Sequence, residues 1–536
     1  MTIRAERVVL VVLRNIATVT WLLEILSELL PDRRIQVVFT LEDDGSAFAD
    51  GVLEALRETG GRVIPWDQAI DTEFDLAIAA SHNGGLERLR SPLLLTSHGI
   101  GFGKTKTVPD DGVPPLPRIS GAHRRRTTVA LSHPEQEGQW AAPDGEFATA
   151  VVGDPWMDRL EASRRRRRDY RAALGAEDHH RVVVLSSTWR TRSLLAEGPD
   201  LAARLLAELP ADEYRVAAII HPNVWSGHGS WQVRTWLREA GEGGLRLLPP
   251  RGGWRGALIA ADCLIGDHGS VTFYAAALGV PVLLGAWGQE EMLPGTPLAE
   301  FGVRAPRLHP DEGLRGQLEA VGRTWDPGRY RDLAERCFAE PGRAMGRLRE
   351  VIYELIDLEA PARPTRVTPV ATPRPFLEAV TAHLVLARLE AGRRDGRILL
   401  ERFPAHLRVL PDEEVVHSHL VVDDQETDER LRQSADVIVR RPEDGRGDEA
   451  RAWAAATLSS YPGSQIAAAA VAGDLVAVAA RGAGLRLLRP ETPIEDPVGL
   501  VASAVRAHTA LGRVVDGQAL ETRLGEATLR VLPVEG

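Results

Sequence analysis

The chain has 536 residues, of which 44% are hydrophobic and 26% are charged, so we expect a soluble globular protein with more than one domain. Its formal net charge of −11 argues against a general nucleic-acid-binding protein, which would carry a basic surface. The two cysteines, Cys263 and Cys337, exclude a disulfide scaffold and a cysteine-rich metal site, and they fit a reducing cytoplasm.

The N-terminal part of the chain alternates short apolar runs with amphipathic segments. Its first apolar stretch, residues 8–30, is interrupted by Arg14, Glu24 and Glu28, so we interpret it as a strand and a helix, not as a signal peptide or membrane anchor. Continuously apolar strands that alternate with helices predict a parallel sheet covered on both faces. The predicted strands are residues 7–13, 35–40, 62–65, 74–80, 92–97 and 128–132, and the predicted helices are residues 18–30 and 52–59.

A predicted linking helix, residues 158–175, separates this unit from a second alternating series. It carries five consecutive arginines, residues 164–168, which we interpret as a solvated helix face. The second series predicts another doubly wound unit, closed by an amphipathic segment at 343–358. Its predicted strands are residues 181–185, 214–220, 245–248, 261–265 and 280–284, and its predicted helices are residues 201–209, 231–240 and 270–278.

The composition changes after residue 358. Residues 359–376 are rich in proline and predict an extended linker. In the segment that follows we predict a helix near 376–391 and short strands within 466–488. His417 and His419 lack the further ligands of a metal site, so we interpret them as structural or solvent-facing. The predicted fold class is thus α/β: two Rossmann-like domains (1–165 and 166–358), a linker (359–376) and a smaller α+β domain (377–536) whose role the sequence does not indicate.

The stretch 97–107, SHGIGFGKTKT, contains Gly103-Lys104-Thr105 and raises the question of a phosphate-binding P-loop. The P-loop pattern requires a glycine at the position held by His98, and the prolines that follow cannot form the helix that a P-loop opens. The stretch is therefore not a P-loop. Lys104 and Lys106 are the only lysines of the chain. They can supply a compact ammonium beside a phosphate or lie by chance on a solvated loop, and the sequence favours neither.

Three further stretches at predicted strand ends carry polar groups suited to phosphate. Gly269 and Ser270 precede a helix, and Ser270 is a good N-cap residue, although the same pattern is ordinary at helix starts. His221 can donate a hydrogen bond or act as a general acid, or it can be structural. Arg190 offers a planar fork, although arginine is also common on surface loops.

The order of these stretches resembles the CDP-glycerol glycerophosphotransferase family, the teichoic-acid polymerase-like enzymes of GT-B fold. The resemblance covers roughly residues 80–300 by motif and does not reach the last segment. It rests on His98-Gly99 with Lys104, on Ser187-Thr188-Trp189-Arg190, on His221-Pro222, on the block from Gly266 to Tyr274, and on the Gly279-Val280-Pro281 strand entry.

The resemblance implies a nucleotide-activated donor, CDP-glycerol or another NDP-linked group, whose diphosphate lies at the helix that begins near Ser270. It implies that His98 is the general base that takes a proton from the acceptor hydroxyl. The acceptor would be a cell-envelope polymer or glycolipid. The implied catalytic residues are His98, His221 and Lys104, and the implied donor-binding residues are Ser187, Thr188, Arg190, Pro222, Asn223, Asp267, His268, Gly269 and Ser270.

Tyr274 stands where the family has an acidic residue, so other donor chemistry stays open. One alternative is a GT-B glycosyltransferase or a nucleotide-sugar 2-epimerase-like enzyme that uses a UDP- or GDP-sugar. Another is a catalytically silent scaffold whose C-terminal segment binds a partner. In each case we expect no metal, cofactor or nucleic-acid partner, and a cytoplasmic location, at the inner face of the membrane if the acceptor is lipid-linked.

Overall fold

Seven apolar strands of the first unit form one parallel sheet in the order β3-β2-β1-β4-β5-β6-β7. The computed structural model describes residues 4–29, 31–42, 51–81, 84–97, 99–100, 121–140, 147–389, 397–407, 417–441, 447–513 and 518–534. The strands are β1 (Arg7–Leu13), β2 (Ile35–Leu41), β3 (Val63–Ile64), β4 (Leu76–Ala79), β5 (Leu93–Leu95), β6 (Thr127–Leu131) and β7 (Ala148–Val151), and the helices are α1 (Ile16–Leu29), α2 (Val52–Thr59), α3 (Trp66–Asp71) and α4 (Gly121–Arg124).

Central strand β1 explains why the sequence predicted this sheet. Val9 and Val11 pack into one buried cluster, and Leu10 and Val12 pack into another on the opposite face. A strand buried on both faces must be continuously apolar, and this pattern is the one from which the parallel sheet was predicted. Strand β7 was not predicted, because it lies at the edge of the sheet and its first two residues, Ala148 and Thr149, are exposed.

The second unit is a five-stranded parallel sheet in the order β10-β9-β8-β11-β12, which confirms the predicted strands. The strands are β8 (Arg181–Ser187), β9 (Tyr214–Ile220), β10 (Arg246–Leu248), β11 (Cys263–Gly266) and β12 (Val282–Leu284). The helices are α5 (Pro155–Ser163), α6 (Arg167–Ala173), α7 (Leu194–Glu197), α8 (Leu201–Glu208), α9 (Pro222–His228), α10 (Ser230–Trp236), α11 (Arg238–Glu242), α12 (Trp254–Ala260), α13 (Ser270–Ala277), α14 (Pro297–Arg304), α15 (Leu314–Thr324), α16 (Arg331–Glu335) and α17 (Ala344–Leu355).

Helices α5 and α17 join the two units. Helix α5 leads into the second unit, and α17 packs back against α1 and α5. The Tyr353 hydroxyl of α17 donates a hydrogen bond to Asp32 of the first unit (3.0 Å). The chain therefore crosses between the units twice, and the cleft between them is bordered by both.

The arginine run at 164–168 is a solvated face, as predicted, with one exception. Arg167 is half-buried and binds Asp262 and the carbonyl oxygens of Ile259 and Ala261, at the C-terminal end of α12. A cation is favoured there because the last carbonyls of a helix have no intrahelical partners. The exception is therefore a contact that ties α6 to α12.

The proline-rich segment 359–376 is extended, as predicted, and it lies along the second unit. Val370 is buried, its N–H donates to Ser163 Oγ (2.9 Å), and its carbonyl accepts from the Tyr170 hydroxyl (2.9 Å). The segment thus follows a fixed path from the linking helices to the last domain.

The last domain is a closed nine-stranded barrel in the order β13-β14-β20-β21-β19-β18-β17-β16-β15, which the sequence did not predict. The short strands predicted within 466–488 are confirmed. The strands are β13 (Ala382–Leu389), β14 (Ile398–Pro404), β15 (His417–Asp423), β16 (Val437–Arg440), β17 (Ile466–Val471), β18 (Leu475–Ala480), β19 (Leu485–Pro490), β20 (Leu520–Leu524) and β21 (Ala527–Val534), and the helices are α18 (Glu429–Ser434), α19 (Gly447–Ser460) and α20 (Pro497–Ala510).

The helix predicted near 376–391 is wrong, because residues 382–389 form strand β13. This stretch is rich in leucine and alanine, which favour helices in isolation. Full-length pairing with β14 on one side and β15 on the other overrides that preference. Helix propensity therefore gave the wrong secondary structure here, because β13 is paired with a strand on each side in the barrel.

Helix α20 lies inside the barrel. It packs against β14 to β20, and its apolar residues form one core cluster with the inward-facing residues of the strands. Small buried residues let a helix fit in so narrow a space: Gly499, Ala502, Ser503, Ala504 and Ala507. His419 of β15 faces this interior and is only 2% exposed, so the prediction that it could face solvent is wrong.

A network of ion pairs fixes the barrel to the amino-terminal edge of the second sheet. Arg402 of β14 binds Asp212, just before β9, through two hydrogen bonds of 2.9 and 2.6 Å. The same guanidinium binds Asp496, which caps the start of α20 (2.5 Å). Strand β9 has seven residues, so the barrel lies about 20 Å from the carboxyl ends of the strands.

No helix within the described part of the chain combines the length and the apolar character needed to cross a membrane.

Candidate functional site

The carboxyl ends of four parallel strands bring the predicted residues of the second unit together. Ser187 at the end of β8 pairs with Ile220 at the end of β9, and Ser186 pairs with Gly266 at the end of β11. Gly266 pairs in turn with Leu284 at the end of β12. The loops that follow these strands therefore form one surface, where open parallel sheets bind their ligands.

Helix α13 begins at this surface, and its N-cap lies one residue earlier than Ser270, the cap that the sequence suggested. Gly269 is the N-cap, and Ser270 is the first helical residue, with no side-chain cap present. Ser270 and Val271 are half-buried, and the first turn of a helix leaves its N–H groups without intrahelical partners. This turn presents donors and the positive end of the helix dipole to the cleft.

The Asp267 carboxylate holds two loops of this surface together through hydrogen bonds from their backbone N–H groups. Its side chain is fully buried and accepts backbone hydrogen bonds from Thr188 (2.7 Å), Leu194 (2.9 Å) and Gly269 (2.8 Å). A carboxylate with these partners holds the β8 loop against the start of α13. These contacts make Asp267 a residue that positions the loop, and the donor contact that the resemblance implied stays a prediction.

Ser187 and Thr188 also serve the loop itself. The Ser187 hydroxyl donates to the Thr188 carbonyl (3.0 Å) and accepts from the Leu195 N–H (2.9 Å). Both residues are buried. The next pair of residues in this loop, Trp189 and Arg190, is half-buried.

Arg190 is held in a backbone conformation that non-glycine residues rarely adopt, with φ of 79°. Its guanidinium carbon lies 4.5 Å from the Trp189 ring centroid, and Nη1 lies 3.7 Å from Glu291 Oε2. Cation–π stacking of this kind orients the planar fork. The strained backbone, the stacking on Trp189 and the contact with Glu291 together fix the position of the Arg190 guanidinium.

His221 caps helix α9 at the end of β9. Its Nδ1 accepts the Asn223 N–H (3.1 Å), so the neutral ring carries its proton on Nε2. The ring lies nearly parallel to Trp189, at an interplanar angle of 28°. Pro222 supplies the first residue of α9, and the Asn223 side-chain oxygen is buried without a partner in the described part of the chain.

Glu291 is a cleft residue that the sequence analysis missed. It lies in the short 3-10 turn Gln289–Glu291 that follows β12, and its Oε2 is 3.5 Å from His268 Nε2. His268 is buried and accepts the Gly288 N–H at Nδ1 (3.2 Å). His268 therefore positions Glu291. The sequence did predict strands at 261–265 and 280–284. If these strands are neighbours in the sheet, the loop after the second, which contains Glu291, lies beside the loop after the first.

The first unit meets this surface at Gly99. A Cβ atom added to Gly99 would lie 2.7 Å from Ser270 Oγ, so the backbone approaches the start of α13 closely. Ser97 Oγ donates a hydrogen bond to the Gly99 carbonyl (3.0 Å). His98 itself and Lys104 lie outside the described residues.

Tyr274, the departure from the family pattern, does not line the cleft. Its hydroxyl donates to Asp154 Oδ2 (2.6 Å), and Asp154 Oδ1 caps α5 by accepting from Trp156 and Met157. Burial raises the pKa of Asp154 to about 6, against the lowering effect of these three hydrogen bonds. Tyr274 therefore ties the donor-side helix α13 to the first turn of the linking helix.

Replacing Tyr274 by phenylalanine should reduce stability more at pH 8 than at pH 5. The hydroxyl stabilises the charged form of Asp154, and a hydrogen bond to a charged group contributes about 1.5–3 kcal/mol. Because the folded-state pKa of Asp154 is raised, its ionisation costs stability as the pH rises through about 6, and loss of Tyr274 increases that cost. Urea unfolding of both proteins at the two pH values measures the difference; an equal loss at both would contradict this role.

Within the described residues, no three His, Cys, Asp or Glu side chains are arranged to hold a metal ion.

Comparison with protein-family models finds no match, and comparison with curated proteins finds none. Among solved structures, the wall teichoic acid polymerase TagF is similar at 13% identity and a TM-score of 0.42, over 66% of this chain and 90% of that chain. A UDP-GlcNAc 2-epimerase from Neisseria meningitidis is similar at 12% identity and a TM-score of 0.43, over 65% of this chain and 100% of that chain. A glycosyltransferase from Rickettsia africae is similar at 8% identity and a TM-score of 0.35, over 66% of this chain and 100% of that chain. The teichoic-acid polymerases that the sequence motifs resemble are thus among the structures to which this chain is similar.

Proposed function

We propose that the chain is a GT-B-type transferase that binds a CDP-activated donor on its second unit and moves a glycerophosphate or similar group to an acceptor hydroxyl. The single observation that carries the proposal is the meeting of Gly99 with Ser270. Gly99 directly follows His98 in the chain, and Ser270 opens a helix beside the strand ends from which the loops of Arg190 and His221 begin.

The donor diphosphate would lie against the first turn of α13. The unpaired N–H groups there and the helix dipole favour an anion, and the Arg190 fork suits phosphate oxygens. His221 would donate from Nε2, because its Nδ1 is already used as an acceptor by Asn223. Glu291 lies next to Arg190 and offers a carboxylate to donor hydroxyls.

In the proposed reaction the acceptor oxygen attacks the β-phosphorus of the donor. A new oxygen–phosphorus bond forms, the bond from the β-phosphorus to the bridging oxygen breaks, and CMP leaves. His98 takes the proton of the acceptor hydroxyl, and His221 and Arg190 stabilise the charge that develops on the phosphates. The acceptor would be a cell-envelope polymer or glycolipid that enters from the first unit.

A nucleotide-sugar donor is the second candidate, and the position of Tyr274 favours keeping it. Since Tyr274 is turned toward Asp154, the acidic residue of the family pattern has no counterpart on α13, and the carboxylate nearest to Arg190 comes from Glu291 on another loop. This difference concerns the group that the donor carries, whereas the diphosphate-binding features are common to both candidates.

A thermal-shift panel of CDP, CMP, CDP-glycerol, UDP, UDP-sugars, GDP-sugars and ATP tests the proposal, because ligand binding raises apparent stability by mass action. We expect a cytidine-selective rise that His221→Ala and Ser270→Ala lose. The exposed His309 of the same unit supplies a matched control, His309→Ala, which should respond like the wild type.

The other outcomes separate the alternatives. A response selective for UDP or GDP compounds would move the assignment to a sugar transferase or epimerase. No response to any nucleotide would contradict a working donor site and would favour the silent-scaffold hypothesis.

A further inference from the structure

The interior of the barrel contains a polar cluster at the end that faces away from the second unit. His417 and His419 occupy alternate positions of β15, so both rings face inward, with centroids 5.4 Å apart. Ser503 and Arg506 lie three residues apart on α20, and positions with this spacing share a helix face. We call these four residues the barrel cluster.

The orientation of α20 separates this cluster from the ion pairs that dock the barrel. Asp496 begins the helix at the docked end, next to Arg402, and Arg506 lies near its other end. Strand β15 likewise begins at His417 and ends at Asp423, which pairs with Arg441 in the docking network. The barrel cluster is therefore remote from both the docking network and the cleft.

Within the described residues, which leave out 408–416 immediately before His417, the cluster has several buried polar atoms without hydrogen-bond partners. They are both ring nitrogens of His419, Nε2 of His417, Oγ of Ser503 and Nε of Arg506. His419 is 2% exposed and Ser503 is fully buried. A buried polar group without a partner is costly, and so many in one place indicate that a ligand or ordered solvent satisfies them.

The charges of the cluster favour an anion over a cation. Arg506 contributes a guanidinium whose carboxylate partner, Asp436, is 3.4 Å away and also accepts the Leu420 N–H. Burial lowers the pKa of His419, and the neighbouring His417 and Arg506 lower it further. Burial and Arg506 lower that of His417 as well. A cation would meet the Arg506 charge, whereas an oxyanion would accept hydrogen bonds from it.

We propose that the barrel cluster is a binding site for a small oxyanion of phosphate size, held by Arg506, Ser503, His417 and His419. The oxygens of such an anion accept from the Arg506 Nε–H, from the Ser503 hydroxyl and from one N–H of each neutral imidazole. The site is separate from the proposed donor site, because the barrel docks at the amino-terminal edge of the second sheet and the donor site lies at its carboxyl edge.

Titration of the full chain with inorganic phosphate by calorimetry tests the proposal at constant ionic strength. Because the cleft can also bind phosphate, the titration is repeated on Arg190→Ala, which should keep the barrel site. Arg506→Met and His419→Gln should each weaken the barrel binding about tenfold or more, the usual effect of losing a hydrogen bond to a charged group. Arg530→Met removes an exposed arginine of the same barrel and should change nothing.

A second measurement does not depend on variants. Imidazole nitrogen spectra of histidine-labelled protein should show shifts of the His417 and His419 signals on addition of phosphate. Absence of phosphate binding in Arg190→Ala, with unmoved histidine signals, would overturn the proposal and leave ordered water as the partner. Phosphate binding that survives Arg506→Met unchanged, or saturable zinc binding by the two histidines without phosphate binding, would also overturn it.

Discussion

Replacing His98 by alanine is expected to lower the rate of transfer about 10²- to 10⁴-fold, the usual contribution of a general base, while the affinity for CDP stays the same. His98 lies between Ser97 and Gly99, and Gly99 approaches Ser270 at the donor helix. The proposed function gives His98 the acceptor proton and leaves the binding of the nucleotide to the second unit, so the two effects should separate.

Release of CMP from CDP-glycerol measures the rate, and calorimetry with CDP measures the affinity. The wild type should lose rate as the pH falls below the ordinary imidazole pKa of about 6.5, and the variant should lack that dependence. His309→Ala serves as the control. If His98→Ala weakened CDP binding as much as it lowered the rate, His98 would be a donor-binding residue and the proposed base would be wrong.

Replacing Arg402 by methionine is expected to reduce the free energy of unfolding by about 3–5 kcal/mol, the usual cost of removing one partner of a buried ion pair. Arg402 is buried and binds both Asp212 of the second unit and Asp496 at the start of α20. Burial acts to raise the pKa of each carboxyl, but Arg402 outweighs it and holds both pKa values below the ordinary range.

The pH dependence follows from these directions. The stability that the two carboxylates contribute is present above the ordinary carboxyl pKa of about 4 and is lost as the pH falls through their lower folded-state values. Without Arg402 the buried carboxyls take up protons more readily, so the deficit of the variant should shrink in acid. Urea unfolding of Arg402→Met against Arg530→Met at neutral and acidic pH measures this. A deficit below about 1 kcal/mol at pH 7, the value for exposed pairs, would contradict the docking role.

The two parallel sheets were predictable because buried parallel strands are apolar at every position. Val182 to Leu185 and Val216 to Ile220 are such runs, and each ends at a polar loop. The grouping of Arg190, His221 and Ser270 was also predictable, since the carboxyl ends of parallel strands meet at one edge.

The individual roles at the site depended on contacts that the sequence does not encode locally. Asp267 turned out to brace backbone N–H groups from a loop about 80 residues away, and Tyr274 bonds to Asp154 in the linking helix. The carboxylate beside Arg190 came from Glu291, which lies after the last of the motifs, Gly279-Val280-Pro281. Each of these depends on long-range packing and not on spacing along the chain.

The barrel was not predictable for a different reason. Strand β13 is rich in alanine and leucine and carries no strong β-branched or alternating signal. The enclosed helix α20 has the small residues that a helix inside a barrel needs, but small residues alone do not indicate such a place. Only the pairing of nine strands, several of them distant in sequence, defines this domain.

The proposed function requires that the carboxyl edge of the second sheet binds the diphosphate of a nucleotide donor, and a crystal structure of the chain with CDP is the sharpest test. We expect the diphosphate at the first turn of α13, within hydrogen-bond distance of Ser270, Arg190 and His221. CDP bound elsewhere on the chain, or a cleft that stays empty at saturating CDP, would contradict it.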